Sequence, residues 1–216
     1  MSEVSEQLPA GGVELSEAEL GALEARWAHA WTPSDVAARL AGVETPWYVA
    51  AGWALDLFRG GQSREHGDIE IGVPFARFPE IRGRFAQYVF DGVGSGRIWE
   101  NATPEVLAVL HQTWLRDPAT GRYLVDVFRE PHDGDTWICR RDETIRFPYA
   151  DIIRHTDDGI PYLVPELVLL FKAKEVREKD QADFEGTLPH MTPHQRETLA
   201  RLVEQVHPGH RWLASL

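Results

Sequence analysis

Apolar positions along the chain change period several times, and each change marks an element. Leu20, Leu23, Trp27 and Trp31 recur at helical spacing behind Ser16 and Glu19, a capping-box pair, so a helix is expected there. Thr32-Pro33 opens a second helix carrying Val36 and Leu40 inward. "WYVAAG" (47–52) reads as a short buried strand ending in glycine, and "WALDLFRG" as a helix that stops at Gly60-Gly61. The strand "DIEIGV" follows, then a helix with Phe78, Ile81, Phe85 and Tyr88 as its stripe. "GVGSGRIWENATPE" reads as loop with a short strand, and "PEVLAVLHQTWL" is assigned to helix.

Beyond residue 120 the pattern first turns extended and then helical. "RYLVDVFRE" (122–130) is almost entirely β-branched, aromatic or leucine, a strong strand signal, and "DGDTWICRRDETIRFP" predicts a hairpin. From about residue 150 helices dominate. Pro165 starts one long helix, "PELVLLFKAKEVREKDQADF", and Thr192-Pro193 another with Leu199, Leu202, Val203 and Val206 on one face. "HPGHRW" (207–212) is a turn before a terminal segment expected to pack back. The tryptophans are expected in the core. The expected organisation is a tail and helix over 1–31, a mixed α/β domain over 32–150 and a helical domain over 151–216.

Composition narrows the classes. With 216 residues, 43% hydrophobic and 26% charged, the chain is expected to be an ordinary soluble globular protein. It contains no apolar run long enough to span a bilayer, and its acidic start is unlike a signal peptide, so a cytoplasmic location and no membrane partner are expected. One cysteine, Cys139, excludes a disulfide framework and a cysteine-based zinc site, and is expected in the core. Thirty-four acidic against 22 basic residues give a net charge of −12, which argues against a nucleic-acid surface and suits a cationic partner. The pattern carries no signal for an oligomeric state.

Candidate chemistry begins at "REHGDIEIGV" (64–73). Side chains two apart on a strand share a face, so Asp68 and Glu70 stand together while Ile69, Ile71 and Val73 fill the core opposite. Two carboxylates this close repel unless a cation neutralises them, and hard oxygen donors suit Mg²⁺. The plain alternative is a solvated acidic face. Asp126 sits in a strand apolar on both faces, where a carboxylate needs a cation: Arg129, Arg140 or Arg141 in an ion pair, or the same metal. Gly52, at a strand-to-helix junction, is a place where backbone amides bind phosphate. Asp180 and Asp183 read as a solvated or ion-paired face with Arg177 and Lys179, and His66 as a loop residue beside the acidic motif.

Taken together, "VAAGWALDLFRGGQSREHGDIEI" resembles the signature of the DNA polymerase beta-like nucleotidyltransferase superfamily. "GWALDLF", "REHGDIEI", "DTWICRRD", "GIPYLVPELVLLFKAK" and "KDQADF" resemble aminoglycoside and lincosamide nucleotidyltransferases, over about residues 47–216. The resemblance implies an α/β (α+β) fold: a small mixed sheet with flanking helices of nucleotidyltransferase type, plus a C-terminal helical domain. It implies a metal-binding pair at Asp68 and Glu70, a third carboxylate at Asp126 as metal ligand or general base, and a phosphate-binding glycine at Gly52. Arg64, Lys172 and Lys174 are candidates for the nucleotide phosphates. Two Mg²⁺ ions, ATP or another nucleoside triphosphate, and a small-molecule acceptor such as an aminoglycoside-like or other antibiotic follow from it. The implied reaction moves AMP from ATP to a hydroxyl and releases pyrophosphate. The alternatives are a protein acceptor, as in antitoxin-like relatives, or a catalytically weak nucleotide-binding homologue. The chain departs from the signature at Ala51, which stands where a glycine is expected; in a left-handed turn alanine costs ~1–2 kcal/mol. It departs also at Glu70, which is one methylene longer than aspartate.

Overall fold

The computed structural model of the chain describes residues 8–216, without the side chains of Glu17 and Leu20. Val13–Glu14 (β1) leads into α1 (Glu17–Trp27), which starts at the expected capping box, the Ser16 amide donating to Glu19 at 2.8 Å. Thr32 and Asp35 cap α2 (Pro33–Arg39) in the same way. Leu23 is half-buried in the α1 stripe, and the predicted place of the Leu20 side chain lies outside what is described. There follow β2 (Tyr48–Val49), α3 (Ala51–Arg59), β3 (Glu70–Pro74) and α4 (Phe78–Arg84). Next come the hairpin of β4 (Val89–Gly94) and β5 (Arg97–Trp99), then α5 (Pro104–Val109), β6 (Gln112–Arg116) and β7 (Tyr123–Glu130). A small three-stranded sheet holds β8 (His132–Asp133), β9 (Thr136–Ile138) and β10 (Arg146–Pro148). The rest is α6 (Tyr149–Ile152), β11 (Ile153–His155), β12 (Pro161–Leu163), α7 (Pro165–Lys172), α8 (Glu178–Thr187) and α9 (Pro193–Val206).

The main sheet is mixed, as expected, but its nine strands exceed the small sheet anticipated. Their order is β1-β5-β4-β6-β7-β3-β2-β12-β11. β3 runs parallel to β7 and β2 parallel to β12, and the remaining pairs are antiparallel. Strand alternation divides the core in two. Ile69, Ile71, Val73, Val125 and Val127 pack with Trp31, Phe78, Ile81 and Phe85. The other cluster holds Tyr48, Leu55, Trp137, Cys139, Leu167, Leu170, Leu202 and Trp212. Trp212 stacks on Phe184 at 4.2 Å, so the terminal segment does pack back.

Two helix assignments are corrected. "PEVLAVLHQTWL" is helix only to Val109; Leu110 turns extended (ψ 139°), and the alternating burial of residues 112–116 makes the second half strand β6. The long helix expected from Pro165 is broken into α7 and α8. The buried Asp180 accepts from the Arg177 amide at 3.3 Å and from its guanidinium at 2.6 Å, which caps a new helix start in place of a continued one. Among the described residues no helix is long and apolar enough to cross a membrane.

Candidate active site

The acidic strand begins one step later than expected: β3 starts at Glu70, and Asp68 lies in the bend before it. The ladder still sets Glu70 against Asp126, with Asp68 two residues before Glu70. Glu70 is the register partner of Asp126 on the parallel neighbour β7, and the Asp126 amide donates to the Ile69 carbonyl at 2.9 Å. The indole of Trp53, on α3, donates to the Asp68 carbonyl at 3.1 Å and fixes the bend. Asp68 and Glu70 are half-buried in the wall of a cavity of about 450 Å³; Asp126, 3% exposed, stands just behind that wall beside Glu70.

None of the three arginines that could have paired with Asp126 does so. Arg129 points to the opposite face of β7 and donates to the carbonyls of Leu107 and Leu110. Arg140 binds Glu130 at 3.1 Å, and Arg141 the Phe171 carbonyl at 3.1 Å. Asp126 Oδ2 accepts from the Gln112 amide at 2.5 Å, and its Oδ1 has no partner among the described residues. Burial, with the Asp68 charge adding to it, pushes the Asp126 carboxyl up to about 8. Burial, then Asp68 and Asp126, likewise raises Glu70 well above the usual carboxylate range.

At the head of α3, Ala50 occupies the N-cap position without a side-chain cap, and Ala51 and Gly52 line the cavity. Ala51 has φ +49°, so the left-handed turn is present and an alanine holds it. Gly52 has a reason of its own: a Cβ there would fall 2.5 Å from an Arg64 guanidinium nitrogen and 2.7 Å from the His66 ring. His66 lies in the loop before the acidic strand, as expected, with its side chain buried. Its ring stacks on Trp53 at 4.4 Å, and its Nε2 lies 2.6 Å from the buried Asp56 carboxylate.

The predicted phosphate-binding cations are in the cavity wall, but two of them are shared. Arg64 meets both oxygens of Asp183 at 3.3 Å; Lys172 reaches Asp180 at 2.8 Å and Asp183 at 2.9 Å. Asp180 and Asp183, read from sequence as a solvated or ion-paired face with Arg177 and Lys179, are instead buried, at 1% and 2% exposure. The Arg177 pair does form, at 2.6 Å. Burial opposes ionisation of Asp180, yet the Arg177 and Lys172 contacts hold it down to about 2. Lys174 is exposed at the cavity rim. Sequence reading missed Tyr48, Glu130 and Phe171 as lining residues; the alternation Asp126, Phe128, Glu130 on one strand face was the available signal for Glu130.

Among the described residues, no three His, Cys, Asp or Glu side chains are already gathered in coordinating geometry. The donor set nevertheless suits a hard divalent cation: three neighbouring carboxylates, two with strongly raised pKa and one with an unpartnered buried oxygen.

The resemblance seen in the sequence agrees with independent comparisons. Residues 34–110, a span holding Gly52, Arg64, Asp68 and Glu70, match the family model for aminoglycoside-2''-adenylyltransferase. Among solved structures, lincosamide antibiotic adenylyltransferase LnuA bound to lincomycin is similar with a TM-score of 0.51 and 17% identity, covering 83% of this chain and 100% of that one. The antibiotic-resistance factor ANT(2'')-Ia is similar with a TM-score of 0.50 and 12% identity, covering 88% and 94%. At these identities the likeness is one of fold. No curated protein matches the chain in sequence.

Two outcomes follow from the site. Ala51→Gly relieves the left-handed alanine at some cost in unfolded-state entropy, a net gain of about 0.5–1 kcal/mol, which calorimetry should read as a melting temperature raised by ~2 °C. A lower melting temperature would contradict the strain. The second outcome concerns pH. Asp126 has a folded pKa above that of the unfolded chain, so its contribution to stability is fully present below about pH 4 and is lost as pH rises through about 8. Asp126→Asn should therefore melt higher than the parent near pH 8 in chelator, by at least ~2 °C, with the gap closing toward pH 4. A gap independent of pH would contradict the assignment.

Proposed function

We propose that the protein is a nucleotidyltransferase that moves a nucleoside monophosphate, AMP from ATP, onto a hydroxyl of a small molecule of the antibiotic class, releasing pyrophosphate. The observation that carries this reading is the pairing of Glu70 with Asp126 across parallel strands, beside Asp68, at a cavity that also holds an uncapped helix N-terminus and a bank of cations.

Each part of the cavity has a role in that reaction. Divalent cations, magnesium by the hardness of the donors, would be held by Asp68, Glu70 and Asp126 and would supply neutralisation of charge at the triphosphate. The first amides of α3 would face the phosphates, with Arg64, packed against Gly52, and Lys172 both held by Asp183. Lys174 at the rim adds positive charge where pyrophosphate departs. With cations held there, the Asp126 carboxyl would be ionised despite its burial, and it would serve as a metal ligand or as the group that takes the proton from the acceptor hydroxyl as its oxygen attacks the α-phosphorus in line. Catalysis is then mostly positioning and charge stabilisation.

The test is incubation of the full chain with Mg²⁺ and α-labelled ATP or GTP, with and without a panel of aminoglycosides and lincosamides. Label in a small molecule is the expected result; label in a protein would replace the acceptor class, and no transfer to any acceptor would contradict the reading. Asp68→Ala and Asp126→Ala should lower transfer by roughly 10²–10⁴-fold, and activity surviving in both would remove the mechanism.

A further inference from the structure

The chain as a whole is strongly acidic, which favours a polycationic acceptor, but the cavity tells a different story once its charges are paired off. Near α3 and the C-terminal helices stand Arg64, Lys172, Lys174, Arg177 and Lys179. The lining also includes Tyr48, Phe128, Glu130, Arg140, Arg141 and Phe171. The carboxylates among these are already engaged. Asp180 is held by Lys172 at 2.8 Å and Arg177 at 2.6 Å, and the buried Glu130 by Arg140 at 3.1 Å. Asp68 and Glu70 belong to the cation-holding group. That leaves Glu175, exposed at the rim, where its charge already acts on Arg141. Arg141, Lys174 and Lys179, by contrast, form no ion pair among the described residues.

A polycation entering such a cavity would give up water around each ammonium and find only Glu175, at the rim, to replace it, while facing unpaired cations. The aromatic part of the lining offers other contacts. The Arg140 guanidinium lies 4.9 Å from the Phe171 ring centroid and 5.7 Å from that of Phe128, and Arg141 lies 5.2 Å from Phe171. Aromatic faces beside fixed donors bind an apolar body that carries hydroxyl or carbonyl oxygens.

We propose that the acceptor is a hydroxylated molecule with an apolar body and no more than one positive charge, seated against Phe128 and Phe171 beside Arg140 and Arg141, and that polycationic aminoglycosides are poor occupants of this cavity. This rests on the nucleotidyl-transfer reading of the same site. The test is calorimetric titration of the full chain with lincomycin, which has a single basic amine, and with tobramycin, which has several. It is run with Mg²⁺ and a non-hydrolysable ATP analogue and again without nucleotide, at salt high enough to screen the acidic outer surface. Lincomycin is expected to bind at least about tenfold more tightly, a difference of ~1.4 kcal/mol, and Arg140→Gln, which frees Glu130, should narrow the ratio. Tobramycin binding as tightly as lincomycin, or no binding of either, overturns the acceptor class; if Arg140→Gln fails to fold, the parent ratio alone decides. Failure of the nucleotide analogue to bind would sink nucleotidyl transfer instead, and the acceptor comparison is still read on the nucleotide-free chain.

Discussion

The pairing of β3 with β7 is the constraint on which the site depends. These strands are separated in sequence by a helix, a hairpin and two further elements, yet their parallel register sets Glu70 directly beside Asp126. The opposite faces of the same strands carry Ile69, Ile71, Val73, Val125 and Val127, all fully buried. A slip of one residue would turn those aliphatic side chains out of the core and the carboxylates into it. Burial of apolar surface on one face thus fixes, at no separate cost, the meeting of like charges on the other. The raised pKa values of Glu70 and Asp126 are sustained by that hydrophobic register, and on the proposed reading they would be relieved by a bound cation.

Around this centre the electrostatics are layered. Asp183 joins Arg64, from the segment before the acidic strand, to Lys172 on α7, and Asp180 joins Lys172 to Arg177. Buried carboxylates of this kind do little for net stability once desolvation is counted, but they set where the cations stand. Removing one partner would leave a buried charge without compensation, so the geometry is enforced as a unit. The same pairing explains how a chain of net charge −12 can present a cation-rich cavity: its excess acidity lies elsewhere.

Much of this was legible in the sequence because it rests on local rules. The capping box at Ser16, the N-cap at Thr32 and the strand at 122–130 follow from residue type and spacing, while the left-handed turn at Ala51 came with the family resemblance. Asp126 stood out as a carboxylate among apolar neighbours, and its approach to Glu70 is tertiary. What escaped was set by contacts between distant segments. Asp180 and Asp183 look like an ordinary charged helix face until Lys172 and Arg64 are seen packed on them. The break between α7 and α8 comes from the same contacts, which override a continuous helical pattern. His66 was unreadable for a similar reason, since only the fold stacks it on Trp53 and brings it to Asp56.

The most direct measurement is an anomalous-scattering map from crystals of the full chain grown with Mn²⁺ and a non-hydrolysable ATP analogue. The expected result is manganese density flanked by the carboxylates of Asp68, Glu70 and Asp126, with the triphosphate running toward the N-terminus of α3. Manganese bound elsewhere, or a nucleotide seated with these three carboxylates empty, would contradict the claim that the parallel strands gather them to hold a cation.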